Sequence, residues 1–215
     1  MCLYTNLNKQ TNKNMKQRKN FIDLNENPYD LFNKWYLKAK LNEINDPNAM
    51  NISTISKGVK PSSRIVLMKS YDKTGFVFYT NLESHKGKDI KFNNKVALNF
   101  YWKSILKQIR IEGTASLIDD EIADKYFDTR QEISKIGAWA SSQSSKLNNR
   151  KDLEMKIVEY KKKFKNKRIP RPSFWSGFKI KPVLFEFWQD IEFRLHDRVE
   201  FRILKNKWKS RRLFP

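Results

Sequence analysis

The sequence predicts a mainly β fold, an antiparallel sheet or barrel with added helices, built as one domain. Three observations carry this. Stretches rich in Val, Ile, Phe and Tyr follow one another in hairpin-like order, separated by short turns. Helical patterns gather at the start and in the middle of the chain and do not alternate with the strands, which argues against a doubly wound parallel sheet. The 215 residues, 39% hydrophobic and with only six glycines, suffice for one core without flexible linkers.

Residues 1–20 are polar and read as a flexible N-terminal arm, leaving 21–215 as the single domain. From Pro28 to Leu41, Leu31, Trp35 and Leu37, with Phe32 and Tyr36, recur at helical spacing, and Asp46-Pro47-Asn48 breaks the chain. Residues 49–56 read as a strand. Arg64 to Lys69 is an apolar run between two cations and reads as a buried strand. With the turn Asp72 to Gly75 and the aromatic run Phe76 to Thr80, it reads as a hairpin. Lys95 to Trp102 and Gln108 to Ile118 are two further strands, Gly113 marking a bulge or a close approach. Acids at Asp119, Asp120 and Glu121 suit a helix start, with the helix running to about Arg130. Two more helices cover Ile133 to about Ser142 and Lys151 to Lys165, the latter stopped by Pro170 and Pro172. The last strands are Val183 to Trp188, Phe193 to Leu204 and Trp208 to Leu213, giving about seven in all.

The net charge of +21 raises the question of a nucleic-acid partner. Lys exceeds Arg more than twofold and is dispersed along the chain beside abundant Asn, Ile, Phe and Tyr, the profile of AT-rich coding. No nucleic-acid motif accompanies it, and charge alone speaks to solubility rather than fold. One cysteine, Cys2, excludes a disulfide framework, and two histidines, His85 and His196, argue against a histidine metal site. No apolar run reaches the length of a membrane span, and the N-terminus carries no secretory pattern, so a cytoplasmic location is expected. Rossmann and P-loop phosphate sequences are absent, so any phosphate must be held by side chains and loop amides.

Three constellations remain. Arg64 and Lys69 bracket an apolar strand, as an edge-solvation device or an anion clamp. Tyr126 and Arg130 lie four apart on a helix with Ser134 just beyond. Periodicity alone reads these as core and solvated face, while a hydroxyl, a guanidinium and a second hydroxyl also suit a phosphate. Arg194, His196 and Arg198 alternate with Leu195 and Asp197. If Arg194 begins an extended segment, two guanidiniums flank one imidazole on a single face, which suggests an anionic ligand. Gln143-Ser144-Ser145 is a loop fit for polar contacts.

The segment Phe185-Glu186-Phe187-Trp188-Gln189, followed after four residues by Arg194-Leu195-His196-Asp197-Arg198, resembles the C-terminal signature of the pyridoxamine 5′-phosphate oxidase family. Further stretches agree in order: Arg64 to Lys69, Phe78 to Asn81, Ile136 to Trp139, Gln143 to Ser145 and Pro172 to Trp175. The resemblance spans about Pro28 to Pro215. It implies a split β-barrel of the FMN-binding type and a homodimer with FMN at the interface. It implies oxidation of pyridoxamine or pyridoxine 5′-phosphate to pyridoxal 5′-phosphate, with O2 returning the flavin to its oxidised state and yielding H2O2. By the same resemblance, FMN contacts fall on Arg64, Ile65, Val66, Leu67, Met68, Lys69, Tyr79, Thr80, His85, Lys86, Gln108, Gln143, Ser144, Trp188 and Arg198. The substrate phosphate falls to Lys69, Tyr126, Arg130 and Ser134, and its ring to Arg194 and His196 as the catalytic pair. Two positions depart from the family pattern: His85 stands for an arginine, and Asp190-Ile191 for a glycine-containing turn. The N-terminal arm carries no Arg/Tyr lid pattern.

Overall fold

The computed structural model describes residues 21–215; the arm expected over 1–20 lies outside the described residues. Helix α1 (Pro28–Asn42) opens where the sequence places it. Asn27 caps it by accepting the Tyr29 N–H at 2.9 Å, and Pro28 takes the first turn, where its missing N–H costs nothing. Its apolar face buries Leu31, Phe32, Trp35 and Ala39 against the sheet.

That sheet has nine strands, all paired antiparallel: β1 (Ala49–Ile55), β2 (Pro61–Leu67), β3 (Ser70–Asp72), β4 (Gly75–Asn81), β5 (Lys95–Trp102), β6 (Lys107–Leu117), β7 (Trp175–Gln189), β8 (Asp197–Leu204) and β9 (Lys207–Leu213). The order is β2-β1-β5-β6-β7-β4-β3, with β8 also on β7 and β9 on β8. β7 is the branch point. It pairs with β6 from Phe178 to Gln189, with β4 from Trp175 to Ile180 and with β8 from Leu184 to Gln189. Between those two partners sits Pro182, whose missing N–H falls where neither β4 nor β8 reaches. Opposite it the β6 register shifts at Glu112/Gly113, the bulge expected from sequence. A side chain on Gly113 would bring its Cβ to 2.6 Å from the Lys181 carbonyl oxygen.

The core fills the concave side. Phe32 is fully buried, with the rings of Phe76, Tyr71 and Phe100 at 4.8, 4.9 and 5.3 Å. Helices α2 (His85–Phe92), α3 (Asp120–Asp128), α4 (Glu132–Ala140) and α5 (Arg150–Lys163) complete the chain. The last three form a satellite cluster around Phe127, Ile136, Ile169 and Trp175, in which Trp139 packs on Tyr160 and Phe164.

Several sequence expectations need correction. β2 pairs with β1 from Ala49↔Leu67 to Ile55↔Pro61, not with β4, and the Asp72–Gly75 turn closes only the short β3–β4 hairpin. The chain leaves β2 at Met68, and Lys69 bonds the Val77 carbonyl at 2.8 Å. Nor is β2 buried: Ile65 is 64% exposed. Strands number nine among the described residues, and α2 had no reading at all. His-Lys-Gly-Lys-Asp-Ile-Lys-Phe is too short and too polar to show periodicity, yet Ser84 caps it by accepting the Gly87 N–H at 3.3 Å. The last extended segment begins at Asp197 and not at Arg194, so strand alternation does not place Arg194 beside His196 and Arg198.

At the open end of the core, Lys107 Nζ lies 3.9 Å from the Trp35 ring centre and donates to Gln189 Oε1 at 2.6 Å. Burial, with Lys38 adding like charge, pushes its ammonium down to about 8.

Two outcomes follow from this packing. Phe32→Ala should cost about 3–5 kcal/mol in urea unfolding, because its ring is enclosed and the site cannot collapse around an alanine. For Lys107 the linkage has a definite sign. Above pH about 8 the folded chain has shed a proton that the unfolded chain keeps until about 10.5, so this group adds stability as pH rises through that window. The melting temperature of the wild type should therefore climb relative to Lys107→Met between those pH values. A constant difference would refute a depressed ammonium.

Candidate functional site

A cavity of about 690 Å³ opens between the sheet and the satellite helices. Ile65, Val66 and Leu67 enter it from β2, with Lys69 just beyond. β4 supplies Tyr79, Thr80 and Asn81, and Lys86 comes from the first turn of α2. Tyr126 on α3, then Arg130, Gln131 and Ser134 around the α3–α4 turn, close the far wall with Gly137, Ala138, Ser141, Gln143 and Trp175. Eleven of the residues proposed from sequence thus converge. Among the described residues, three cations line the space and no carboxylate does.

The charges are held with little compensation. Lys86 is 7% exposed, and its Nζ reaches only hydroxyls, Thr80 Oγ1 at 3.2 Å and Ser84 Oγ at 3.4 Å. Burial, and then the nearby Arg64 charge, lower its pKa. Arg130 stands with its guanidinium 4.8 Å over the Trp175 ring; burial lowers its pKa as well, and its Nη1 is buried without a hydrogen-bond partner among the described residues. Tyr79 stacks on Tyr126 at 3.9 Å, and Trp175 lies parallel to both, 5.2 Å from Tyr79 and 6.3 Å from Tyr126, so three parallel rings form one wall. Arg64 does not line the cavity. It turns behind the wall to Thr54 Oγ1 and Ser62 Oγ, each at 2.6 Å, and lies 3.8 Å from Asp89. Met68 is buried in the core, and His85 and Ser144 are exposed outside the lining.

The remaining candidates assemble elsewhere, on the outer face of β6, β7 and β8. Cross-strand register puts Tyr101, Gln108, Trp188 and Arg198 in one transverse row. His196 packs on Trp188 with ring centres 4.5 Å apart. Arg194 precedes it at φ +60°, next to Phe193 at φ +59°; two consecutive side chains in the left-handed region are strained. The adjacent row is Arg110, Glu186 and Glu200. Glu186, 5% exposed, accepts from Arg110 at 2.7 and 3.2 Å and from Arg198 at 2.7 and 3.0 Å. None of Gln108, Trp188, Arg194, His196 and Arg198 lines the cavity.

Comparison with known proteins gives the family of the chain. Residues 37–164 match the family described as pyridoxamine 5′-phosphate oxidase, and residues 175–215 match the pyridoxine 5′-phosphate oxidase C-terminal dimerisation region. The chain belongs to the pyridoxamine 5′-phosphate oxidase family. It is 47% identical over 197 residues to a pyridoxine/pyridoxamine 5′-phosphate oxidase of Allorhizobium ampelinum, covering 91% of this chain and 95% of the relative. It is 46% identical over 197 residues, with the same coverage, to the enzyme of that name from Rhizobium meliloti. Among solved structures, PhzG from Burkholderia lata, in complex with tetrahydrophenazine-1-carboxylic acid, aligns with TM-score 0.84 at 28% identity, covering 90% of this chain and 95% of that one. A pyridoxamine 5′-phosphate oxidase-related, FMN-binding protein from Nostoc punctiforme shares the fold, with TM-score 0.70 at 13% identity and coverage of 89% and 100%. The antiparallel sheet described above is therefore the oxidase family's split barrel.

Some lining residues had no reading as site residues in the sequence. Asn81, Gly137, Ala138 and Trp175 lie inside stretches that carried the resemblance. Gln131 and Ser141 are single polar residues at helix ends, with no pattern to mark them. Glu186 sits in the signature but shows its use only once both arginines are seen upon it.

Burial alone would raise the Glu186 carboxyl, but hydrogen bonds and charge from Arg110 and Arg198 hold it below 4.5. This stabilisation is complete above pH 4.5 and is lost as pH falls through the lower folded-state value. Glu186→Gln should lose about 1–3 kcal/mol at pH 7. Thermal melts from pH 7 to 3 should show its deficit shrinking below pH 4.5, and a deficit independent of pH would exclude the charged bridge.

Proposed function

We propose that this chain oxidises pyridoxamine 5′-phosphate or pyridoxine 5′-phosphate to pyridoxal 5′-phosphate, as an FMN-dependent homodimer in the cytoplasm. The observation that carries the reading is the uncompensated positive charge of the cavity: among the described residues, Lys69, Lys86 and Arg130 line it, no carboxylate does, and Arg130 Nη1 is buried without an acceptor. An orphaned guanidinium nitrogen is costly, and a phosphate oxygen offers what it lacks. Cofactor and substrate each bring one phosphate, and the volume suits organic ligands.

FMN fits these residues: Ile65, Val66, Leu67, Tyr79, Thr80, Lys86 and Gln143 would hold it, Arg64 adding its charge from behind the wall. When bound, FMN supplies the acceptor for the hydride lost from the substrate's C4′ carbon and passes the electrons to O2, giving H2O2. The protein's own part is positioning and electrostatics. Lys69, Tyr126, Arg130 and Ser134 seat the substrate phosphate through one ammonium, one guanidinium fork and two hydroxyls. The Tyr126–Tyr79–Trp175 stack keeps that wall flat and excludes water.

Arg194 and His196 complete the site over the pyridine ring, and a second copy brings them together with Gln108, Trp188 and Arg198. Trp175, in the cavity wall, and Trp188, in the outer row, are the first and the fourteenth residues of β7. At about 3.3 Å per residue they are separated by roughly 43 Å of extended strand. One subunit therefore offers its cavity at one end of β7 and its Arg194/His196 loop at the other. The match of residues 175–215 to a dimerisation region supports the same arrangement.

The visible spectrum of the purified protein, followed by anaerobic addition of pyridoxamine 5′-phosphate, tests this. A flavin spectrum should appear, bleach with substrate and return with air. A flavin that never bleaches would sink the oxidase reading, and a protein that cannot be reconstituted with FMN would sink the cofactor assignment. Arg130→Met should keep its flavin while KM rises about 10- to 100-fold, the value of one charge-assisted phosphate contact.

A further inference from the structure

The loop between β7 and β8 carries Arg194 and His196, and one side chain closes it. Asp190 follows the end of β7 and anchors the loop by donating its backbone N–H to the Leu106 carbonyl at 3.0 Å. The chain then passes through the strained pair Phe193 and Arg194, and the Leu195 N–H bonds Glu192 at 3.2 Å. His196 folds back over Trp188; its Nδ1 accepts the Ile191 N–H at 3.3 Å and lies 2.9 Å from Asp190 Oδ1.

One ring nitrogen cannot satisfy both neighbours. A protonated Nδ1 donates to the carboxylate, whereas a bare Nδ1 accepts the Ile191 N–H. The contact to Asp190 is the shorter and involves a charged acceptor, so it wins. A bare Nδ1 would also set two acceptors, the nitrogen lone pair and the carboxylate oxygen, against each other at 2.9 Å.

We propose that Asp190 is a positioning residue for His196. Its carboxylate holds the proton on Nδ1 and thereby presents Nε2 as a bare acceptor towards the substrate. This rests on the reading of His196 as a substrate-facing group. An acceptor at that place suits the chemistry, because loss of hydride from C4′ leaves the amine or hydroxyl on the same carbon with a proton to give up. The Trp188 ring fixes the plane of the imidazole, while Asp190 fixes which of its two nitrogens is free.

The two histidines make the test direct. Histidine labelled with 15N in the FMN-loaded protein gives two imidazole signal sets, and His85→Asn assigns them. At pH 8 the wild-type His196 should show the proton on Nδ1 and a bare Nε2. In Asp190→Ala, with the Ile191 N–H left as partner, the proton should move to Nε2. kcat should then fall about ten- to hundredfold, as when the supporting partner of a working histidine is removed, while flavin content stays at the wild-type level. Asp190→Asn, which retains an acceptor oxygen, should keep the Nδ1 proton and recover most of kcat. A wild-type His196 protonated on Nε2 overturns the proposal, whether or not any variant folds. A proton that moves in Asp190→Ala without loss of kcat overturns it too, reducing Asp190 to a loop fastener. A wild type with the expected tautomer but no turnover would overturn the oxidase reading instead, and leave the orienting role of Asp190 standing on the spectrum.

Discussion

The structure depends on the way β7 shares its two edges. One edge belongs to β6 from Phe178 to Gln189. The other is divided, β4 holding it up to Ile180 and β8 from Leu184 onwards. Between those partners the strand needs a residue that can do without an N–H donor, and Pro182 is there. The opposing strand needs slack at the same level, and Gly113 provides it in a bulge where a side chain would strike the Lys181 carbonyl. With that junction in place β4 and β8 leave β7 in different directions, and the sheet curls. The cavity forms beside the first segment and the Trp188/His196 face beside the second. The cavity and the Trp188/His196 face are thus both consequences of one branched strand.

Charge is sorted by the same geometry. In a chain with net charge +21, three buried acids stand beside arginines on the outer face and behind the cavity. Glu186 bridges Arg110 and Arg198, Glu200 takes Arg211 at 2.9 Å, and Asp89 lies beside Arg64 while accepting from Thr54 at 2.7 Å. Among the described residues, the charged groups left in the cavity lining are the cations Lys69, Lys86 and Arg130. Placing acids one layer back keeps Arg64 and Arg198 oriented without letting a carboxylate compete for the ligand's place. This is the arrangement that favours an anion over water in a largely desolvated site.

How far this was legible in the sequence depended on how local each signal is. α1 was read almost to its ends because its apolar period, its cap and its proline agree. β5 and β6 were read because alternation and turn residues coincide. The pairing of β2 was misread because nothing in Arg64 to Lys69 says which neighbour it takes. A short turn at Asp72–Gly75 suggested one hairpin, while the actual partner lies across the loop that follows Ile55. Its outward Ile65 also reads as core in a lone sequence, although the described chain leaves it exposed. In the site, Tyr126, Arg130 and Ser134 were visible as a helical constellation, and the structure brings them to one wall. Arg194 was assigned to a strand face by alternation, which fails because a positive φ cannot be read from an arginine.

The length of the signature from Arg194 to Arg198 becomes intelligible once its residues are followed outwards. His196 faces Trp188 and Asp190. Asp197, next in sequence, points the other way and is 4% exposed. Its carboxylate accepts the Ile22 N–H and the Arg212 Nε, both at 2.8 Å, while Arg212 also bonds the Ile22 carbonyl at 2.7 Å. That pair ties the start of the described chain to the C-terminal hairpin directly behind the histidine. Arg198 returns to the outer face, where Glu186 and the Phe214 carbonyl hold its guanidinium. A change at Asp197 would therefore loosen the segment at Ile22 and the backbone of His196 together, although Asp197 touches neither the cavity nor the imidazole. Strand alternation makes this coupling unavoidable: in a sheet that works on one face and packs on the other, each functional side chain has as its neighbour the one that anchors it.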